Sequence, residues 1–426
     1  MPCIIYQITI SAPMSGFVCH KKIIMLILNS LKTNGLFNCK NLPMRKKIII
    51  LFVNLYAFSV AAQQPYFPDA DWLVKNPTEL KMNKKLLDSA VTFALNNENK
   101  VERDLRIANT KSYAREPGYK IIGPMKQRGG PAGLVIKNGY IVAQWGDVNR
   151  VDMTFSTTKS YLSTVAGLAI DNGLIKSASD KVNQYVWDES FEGEHNSKVT
   201  WDHLLTQSSD WSGSLFGLHD WADRPPKDGG IDDWKNRKLF EPGTNYEYND
   251  VRVNLLAYSL LQVWRKPLPV VLKEKIMDPI GASTTWRWFG YENSYVNMDG
   301  LMMQSVSGGG HHGGGIFINT LDHARFGLLF LRNGKWKDQQ LLSEKWINAV
   351  QQPSVANKNY GYLWWLNTDG GWKGISPRVY YAAGYGGNYI IIDKQHDLVV
   401  VTRWIDDSKI AEMLQLVVKS VEVKDL

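Results

Sequence analysis

Hydrophobic and polar positions divide the chain into two sheet-forming ends and a helical middle. The runs Ala132–Lys137 and Tyr140–Trp145 are rich in β-forming residues and are joined by Asn138-Gly139, which is the strongest short sequence signal for a β-hairpin. Further β-rich runs follow near the C-terminus, at residues 361–367, 379–383, 389–393 and 398–404. The pattern therefore predicts one sheet assembled from distant parts of the chain.

Helical spacing of apolar residues predicts the elements that flank this sheet. Residues 80–96 read as an amphipathic helix and residues 410–423 as a last helix. Residues 253–264 and 268–277 read as helices of the middle segment, and residues 210–233 read as a long loop. We expect an α/β (α+β) fold with an antiparallel sheet flanked by helices. Residues 63–160 and 300–426 would form the α/β lobe and residues 161–299 a mainly helical lobe, which is the all-α insertion of this fold; together they would form one domain with a cleft between the lobes.

The net charge of +8 belongs to the N-terminus. The chain has 426 residues and 44% hydrophobic content, enough to bury a large core. Residues 1–62 hold seven of the 49 basic residues and no acidic residue, so the remainder has 42 basic and 41 acidic residues, or about +1. A near-neutral mature chain argues against a nucleic-acid partner.

The layout of the N-terminus is typical of a secretory signal peptide. Met44 precedes the basic triplet 45–47, the apolar run 48–60, and then Ala61 and Ala62. We therefore expect a signal peptide at 44–62, an upstream extension 1–43 that is not part of the native product, and a periplasmic or secreted location. A membrane anchor is the alternative, but the apolar run is short for a span, so no stable membrane insertion is expected after cleavage.

Cysteine placement agrees with this expectation. Cys3, Cys19 and Cys39 all precede Met44. The mature chain would then have no thiol nucleophile, disulfide or thiolate metal site.

The segment around Ser156 holds the strongest candidate chemistry. Ser156 and Lys159 are three residues apart, and apolar residues at helical spacing follow them, so a helix starting here would make the hydroxyl and the amine neighbours. Ser156 would lie in the first turn, where free backbone N–H groups favour negative charge. A capping serine beside a solvated lysine is the ordinary alternative for this pair.

Two further segments carry polar groups that could serve a site. Tyr246 and Tyr248 follow a Pro-Gly turn; a tyrosine near a lysine is a candidate base, although either ring could simply pack in the core. His311 and His312 lie in a glycine-rich stretch. Because adjacent histidines seldom bind one ion and no nearby acidic cluster completes a site, we expect a flexible turn at the pocket rim and no metal.

Taken together, these segments resemble the serine β-lactamase superfamily. The nearest branch is that of class C β-lactamase-like hydrolases, which includes esterases, D-amino-acid peptidases and nylon-oligomer hydrolases. The resemblance extends from about residue 80 to residue 423. It is carried by the Asn138-Gly139 hairpin, Phe155-Ser156-Thr157-Thr158-Lys159-Ser160, the segment 201–206, Pro242-Gly243-Thr244 before Tyr248, Gly313-Gly314-Gly315 before Asp322, Ala324, Arg325 and Phe326, and the C-terminal hairpin.

The resemblance implies a role for each matching residue. Ser156 would be the acylated nucleophile and Lys159 would assist its deprotonation. Tyr248 would be the general base towards Ser156 and the general acid towards the leaving group. The backbone N–H groups of Ser156 and Tyr385 would form the oxyanion hole.

Two departures from the family pattern affect the expected substrate. Asp250 stands where the family has a substrate-binding asparagine, which puts recognition of a substrate amide in doubt. The Lys-Thr-Gly motif is replaced by a strand without a basic residue, in which Gly384 and Gly386 would approach the substrate closely. Without that cation, β-lactamase activity is disfavoured.

We therefore expect an exported serine hydrolase that cleaves a small ester or amide through an acyl-enzyme on Ser156, without metal or organic cofactor. A D-amino-acid peptidase or cell-wall amidase is the enzymatic alternative. A catalytically silent protein that binds a peptide or glycan is the alternative of another class.

Overall fold

The computed structural model of this chain describes residues 65–422. The extension 1–43, the signal peptide expected at 44–62 and all three cysteines lie outside this range. Within residues 65–422, every helix is too short or too polar to cross a bilayer.

The strands are β1 Ala132–Lys137, β2 Tyr140–Trp145, β3 Asp152–Met153, β4 Ser214–Leu215, β5 Leu218–His219, β6 Arg287–Met298, β7 Leu301–Val306, β8 Gly315–Ile318, β9 Lys335–Trp336, β10 Gln339–Gln340, β11 Trp365–Leu366, β12 Tyr380–Gly384, β13 Asn388–Asp393 and β14 Leu398–Arg403. The α-helices are α1 Lys84–Asn96, α2 Leu105–Tyr113, α3 Thr158–Asp171, α4 Gly193–Asn196, α5 Trp201–Leu205, α6 Ile231–Lys235, α7 Asp250–Trp264, α8 Leu268–Leu272, α9 Thr320–Leu331, α10 Glu344–Ala349 and α11 Ile410–Glu422.

The strands form two main antiparallel sheets. The larger sheet has the order β11-β12-β13-β14-β1-β2, so β1 pairs with its hairpin partner on one side and with β14 on the other. The smaller sheet has the order β3-β8-β6-β7. As the β-rich runs predict, the larger sheet combines strands from both ends of the described chain.

Strand alternation gives the larger sheet two apolar faces. Leu134 and Ile136 of β1 face a core that includes Phe326 of α9. The residue between them, Val135, faces a second core shared with Leu87 of α1 and with α11. Because successive strand residues point to opposite faces, the sheet is covered by helices on both sides.

Helix α3 is the most deeply enclosed element near the candidate chemistry. Every residue from 158 to 169 is buried. A helix that is enclosed on all sides cannot shift without disturbing the surrounding core. The element that carries Lys159 is therefore held rigidly between the larger sheet and the helices of the middle segment.

The structure confirms the hairpin and refines several other predictions. Asn138 and Gly139 have φ values of 53° and 89°, as a tight hairpin turn requires. Helix α1 begins after its cap Asn83, because residues Pro77–Leu80 form a separate 3₁₀ turn. The expected loop 210–233 contains the short ladder β4–β5 and helix α6.

The main difference lies in the segment 161–299, which was expected to be mainly helical and to form an all-α insertion. Its last part is β6, a strand of 12 residues. The pairing of β6 with β7 shifts register between Gly290 and Tyr295. A bulge interrupts the period of two by which a strand is recognised in a sequence. The inserted segment is thus mainly helical, but it also supplies the longest strand of the smaller sheet.

Arg403, at the end of β14, joins the two sheets. Its side chain is buried; Nε donates to Asn388 Oδ1 at 2.6 Å, and the two Nη groups donate to the carbonyls of Ile318 at 2.9 Å and Met153 at 3.1 Å. These partners lie in β13, β8 and β3. One guanidinium therefore satisfies backbone groups of the smaller sheet from a strand of the larger one.

We expect Arg403→Met to lower the free energy of unfolding by about 3 kcal/mol, because it leaves two buried carbonyls and an amide without their donor. Urea denaturation monitored by tryptophan fluorescence would measure this loss. Arg378→Met is the matched control: Arg378 is exposed, and its change should stay within about 0.5 kcal/mol. Equal effects of the two substitutions would contradict the bridging role of Arg403.

Candidate active site

Ser156 lies in a 3₁₀ turn, Phe155–Thr157, immediately before α3. Phe155 adopts a left-handed conformation with φ of 48°, which costs a non-glycine residue about 1 kcal/mol or more. Its ring is held by edge contacts with Tyr385 and Trp404, at centroid distances of 5.2 and 6.4 Å. Core packing thus stabilises the strained turn that carries the half-buried Ser156.

The structure brings the predicted pair Ser156 and Lys159 together. Lys159 Nζ donates to Ser156 Oγ at 2.9 Å and to the carbonyl of Gly308 at 3.3 Å. It also lies 2.7 Å from Asp250 Oδ1, and the side chains of Lys159 and Asp250 are only 2% and 1% exposed. The amine is therefore buried and faces three oxygen atoms, so Lys159 is not the solvated lysine of the alternative interpretation.

The charges around Lys159 favour its ammonium form. Burial by itself would lower the pKa of Lys159, but the Asp250 carboxylate and Tyr248 outweigh it, so the pKa is raised. Burial likewise opposes ionisation of Asp250, yet Arg224, Lys159 and His311 hold its pKa well below the usual range. The pair is thus an ammonium and a carboxylate at neutral pH, and Lys159 is not a ready proton acceptor in the resting site.

Asp250 has a different position from the one expected of a substrate-binding residue. It begins α7, whose cap Asn249 accepts from the backbone N–H of Arg252. One carboxylate oxygen contacts Lys159 and the other accepts from Arg224 Nη2 at 2.7 Å. Because the side chain is buried and both oxygens are engaged, Asp250 anchors Lys159 and has no free surface for substrate.

Of the two candidate tyrosines, Tyr248 lies at the site. Its ring centroid is 5.0 Å from Lys159 Nζ and 5.2 Å from Arg224 Cζ. Tyr246 packs against Tyr360 at 5.2 Å, and burial raises the pKa of its phenol. The half-buried Tyr248 is therefore the phenol beside the cations, whereas Tyr246 has the packing role.

The end of β12 lies against the turn that carries Ser156. A Cβ on Gly384 would lie 2.1 Å from the carbonyl oxygen of Thr154, so the close approach of Gly384 is to this turn. Gly386, with φ of 83°, is covered by the indole of Trp404. Tyr385 between them is half-buried and its hydroxyl lies 3.1 Å from Ser112 Oγ. The two glycines permit tight packing, and the strand end stays beside Ser156.

The expectation of a flexible histidine turn without acidic neighbours is wrong. His311 and His312 are 2% and 5% exposed. His311 Nε2 lies 2.8 Å from Glu116 Oε2 and 3.6 Å from Asp223 Oδ1. These acids lie about 195 and 88 residues away in sequence, so only the fold brings them together.

The ligand atoms of Glu116, Asp223 and His311 lie within 4.8 Å of one another, so this group could hold a metal ion. Arg224, however, already contacts both carboxylate oxygens of Asp223 at 3.0 Å.

Arg224 is a second residue that sequence reasoning missed. It adopts a left-handed conformation with φ of 50°, and its guanidinium lies over the rings of Tyr113 and Tyr248. Strain of this kind is concentrated at functional sites. In the sequence, the only signal for the close packing around His311 was the number of glycines beside it, because a glycine-rich stretch allows close backbone contacts.

Comparison with known proteins agrees with this geometry. The Beta-lactamase family matches residues 120–404, more than half of the chain. The chain therefore belongs to the Beta-lactamase family, and its homologues are serine hydrolases. The match includes Ser156, Lys159, Tyr248 and Tyr385, but it begins after Glu116.

Particular relatives are distant. The chain is 22% identical over 205 residues to an Escherichia coli protein named "Putative D-alanyl-D-alanine carboxypeptidase", and the match spans 38% of this chain and 45% of that relative. A family VIII carboxylesterase has a similar structure, with a TM-score of 0.52 and 16% identity, covering 82% of this chain and 99% of that one. The octameric penicillin-binding protein homologue from Pyrococcus abyssi has a TM-score of 0.51 and 18% identity, covering 79% and 77%. These structural matches define the fold.

The two adjacent histidines have opposite pKa shifts. Burial acts to lower the pKa of His311, but Asp250 and Glu116 outweigh it and raise the pKa to about 9. Burial and the charge of His311 lower the pKa of His312 to about 4. Burial raises the pKa of Asp223 to about 6, against the opposing effect of Arg224.

We expect the free energy of unfolding to fall by about 3 kcal/mol between pH 6.5 and 9. In this window the folded state holds the His311 proton and the unfolded state does not. The stability that this proton contributes is therefore fully present below pH 6.5 and is lost as the pH rises through about 9. Below pH 6.5, the shifts of His312 and Asp223 have opposite effects on stability and largely cancel. Urea denaturation at several pH values measures the loss; His311→Gln should abolish it, and its persistence in that variant would exclude His311 as the cause.

Proposed function

We propose that this protein is a serine hydrolase that transfers the acyl group of a small ester or amide to Ser156 and then to water. The observation that carries the proposal is the contact of Ser156 Oγ with a buried Lys159 ammonium, which Asp250 holds in place. A cation held beside a hydroxyl stabilises the alkoxide that forms when the hydroxyl loses its proton, which is the reactive form of a serine nucleophile. Membership of the Beta-lactamase family supports the same chemistry.

In the proposed reaction, Tyr248 acts in its phenolate form: Ser156 Oγ forms a bond to the substrate carbonyl carbon while its proton passes to the Tyr248 oxygen, which becomes a phenol. Tyr248 then protonates the leaving alcohol or amine as the bond to that group breaks. In the second half, water attacks the ester on Ser156 and gives a proton to the Tyr248 phenolate; the bond to Ser156 Oγ then breaks, Tyr248 returns the proton to Oγ, and the acid is released. Lys159 keeps its proton and stabilises the negative charge that develops on the reacting oxygens.

The oxyanion of the tetrahedral intermediate would be bound by the backbone N–H groups of Ser156 and Tyr385. The position of β12 against the Phe155–Thr157 turn supports this assignment, since it places both backbone segments side by side. Gly384 and Gly386 would contribute by allowing that approach and not by binding substrate.

A peptidase acting on D-amino-acid substrates is the second candidate. The printed name of the Escherichia coli relative favours it, although the chain spans less than half of that relative's length. The absence of a basic residue in β12 weighs against a substrate whose free carboxylate must be bound there. An ester or a small neutral amide is the better match to this strand.

We expect Ser156→Ala to abolish labelling by a fluorophosphonate probe and to lower kcat/KM for a short-chain p-nitrophenyl ester by about 10⁴ or more, because alanine has no hydroxyl to attack the probe or the ester. Tyr248→Phe should retain the fold and lower kcat by about 100-fold or more. Intact-mass spectrometry and ester turnover provide the two measurements.

Tyr246→Phe is the matched control, since its hydroxyl has no hydrogen-bond partner among the described residues and its loss should leave turnover unchanged. A D-alanyl-D-alanine peptide assayed beside the ester separates the two enzymatic candidates. If the wild-type protein shows neither an adduct nor turnover of any substrate, the hydrolase proposal fails and the cleft is a binding site for a peptide or glycan.

We also propose that the protein is exported to the periplasm or the medium. The basic triplet at 45–47 and the apolar run 48–60 support this location. Expression of the full chain in a Gram-negative host should yield a mature protein that begins near Gln63, as read by mass spectrometry of the periplasmic fraction. Recovery of an uncleaved chain from the cytoplasm would contradict this proposal.

A further inference from the structure

The loop between β7 and β8, residues 307–314, packs directly against the proposed nucleophile turn. A Cβ on Gly309 would lie 2.0 Å from the carbonyl oxygen of Phe155, and a Cβ on Gly310 would lie 2.4 Å from Asp250 Oδ2. The next residue in the loop is His311. The two glycines therefore let this loop deliver a histidine to the far side of the carboxylate that anchors Lys159.

His311 is enclosed by acidic groups from separate parts of the chain. Its Nδ1 lies 3.4 Å from Asp250 Oδ2, and its Nε2 lies 2.8 Å from Glu116 Oε2. Its ring stacks on Tyr113 with a centroid distance of 4.2 Å and an angle of 14°, which fixes the plane of the imidazole. The titratable and charged groups facing it are Tyr113, Glu116, Tyr119, Asp223, Arg224, Asp250 and His312.

The charges of this cluster balance only when His311 carries a proton. Glu116, Asp223 and Asp250 supply three negative charges when ionised, whereas Lys159 and Arg224 supply two positive charges. The imidazolium adds the third. A divalent cation bound to a neutral His311 would instead leave one excess positive charge in a buried site, which is costly. The surrounding carboxylates favour the proton over the metal ion.

We propose that His311, held by Glu116, is a positioning residue for the acyl transfer proposed above. Its imidazolium fixes Asp250 Oδ2, so that Asp250 Oδ1 stays at the ammonium of Lys159 and Lys159 stays at Ser156. His311 acts through two intervening side chains and does not touch the reacting atoms. This inference rests on the proposed function, because its consequence is the rate at which Ser156 is acylated.

Asp250 has cations at both carboxylate oxygens: Lys159 lies at Oδ1, and His311 is one of two cations at Oδ2. Arg224 approaches Oδ2 together with His311, and Arg224 also contacts Asp223. Loss of the imidazolium leaves Arg224 as the sole cation on Oδ2 among the described residues. The carboxylate can then rotate towards that guanidinium, and a displacement of Lys159 by about 1 Å is enough to slow a reaction 10- to 100-fold.

The test measures the rate of fluorophosphonate acylation at Ser156 by intact mass from pH 6 to pH 10. The wild-type rate should fall as the pH rises through about 9, where His311 loses its proton. His311→Gln should be slower by about 10- to 100-fold at pH 7 and should lack the decline near pH 9. The KM for a neutral ester should change little while kcat falls.

Glu116→Gln provides a second variant that keeps His311 in place. Removal of the Glu116 charge should move the alkaline decline of the acylation rate to lower pH, because Glu116 helps to hold the His311 proton. His312→Gln is the matched control in the same loop. His312 Nδ1 lies 2.8 Å from the carbonyl of Lys120, so its loss disturbs the loop without removing the imidazolium at Asp250.

The outcomes separate this inference from the proposed function. Failure of the wild-type protein to label at Ser156 overturns both. Labelling of the wild type with an unchanged rate and pH profile in folded His311→Gln or Glu116→Gln overturns only the role of His311. An equal loss of acylation rate in His312→Gln also overturns the role of His311, because the effect would then come from disturbance of the loop. A rise in the melting temperature of the wild type, but not of His311→Gln, on addition of Zn²⁺ would show that His311 binds a metal ion in place of the proton, and would overturn the role of the imidazolium.

Discussion

The buried ion pair of Lys159 and Asp250 is the constraint on which the rest of the site depends. Two charges that are almost wholly withdrawn from water are stable only if their attraction and further contacts offset the loss of hydration. Removal of one partner from such a pair typically costs about 3–5 kcal/mol. The Gly308 carbonyl, Arg224 and His311 supply those contacts, so the surrounding loops are organised by a requirement of electrostatics as much as by packing.

The cations of the site come from segments that the family pattern does not connect. The family motif has a lysine on the strand beside the nucleophile, whereas β12 of this chain has none. Arg224, from the loop after β5, and His311, from the loop between β7 and β8, both contact Asp250 instead. Their charges are satisfied by carboxylates, so they define the geometry of Lys159 and leave little free positive charge for an anionic substrate.

Sequence reasoning succeeded where the determining interaction is local. The β1–β2 hairpin follows from Asn138-Gly139, and the neighbouring positions of Ser156 and Lys159 follow from helical spacing. It did not find β6, because a bulge hides the alternation, nor the environment of His311, because Glu116 and Asp223 are far away in sequence. The position of Asp250 in the chain suggested contact with substrate, but its burial depends on Arg224 and Lys159, which only the fold brings to it.

The order of strands in the larger sheet also determines when this site can exist during synthesis. β1 precedes Ser156, yet it pairs with β14, and β12 must lie against the turn that carries the hydroxyl. These contacts join residues more than 200 positions apart, and such contacts form late because long segments of chain must first be ordered. A nascent chain that ends before β12 therefore carries Ser156 without the strand that packs against its turn. Acyl transfer at Ser156 therefore becomes possible only after nearly the whole polypeptide has been made.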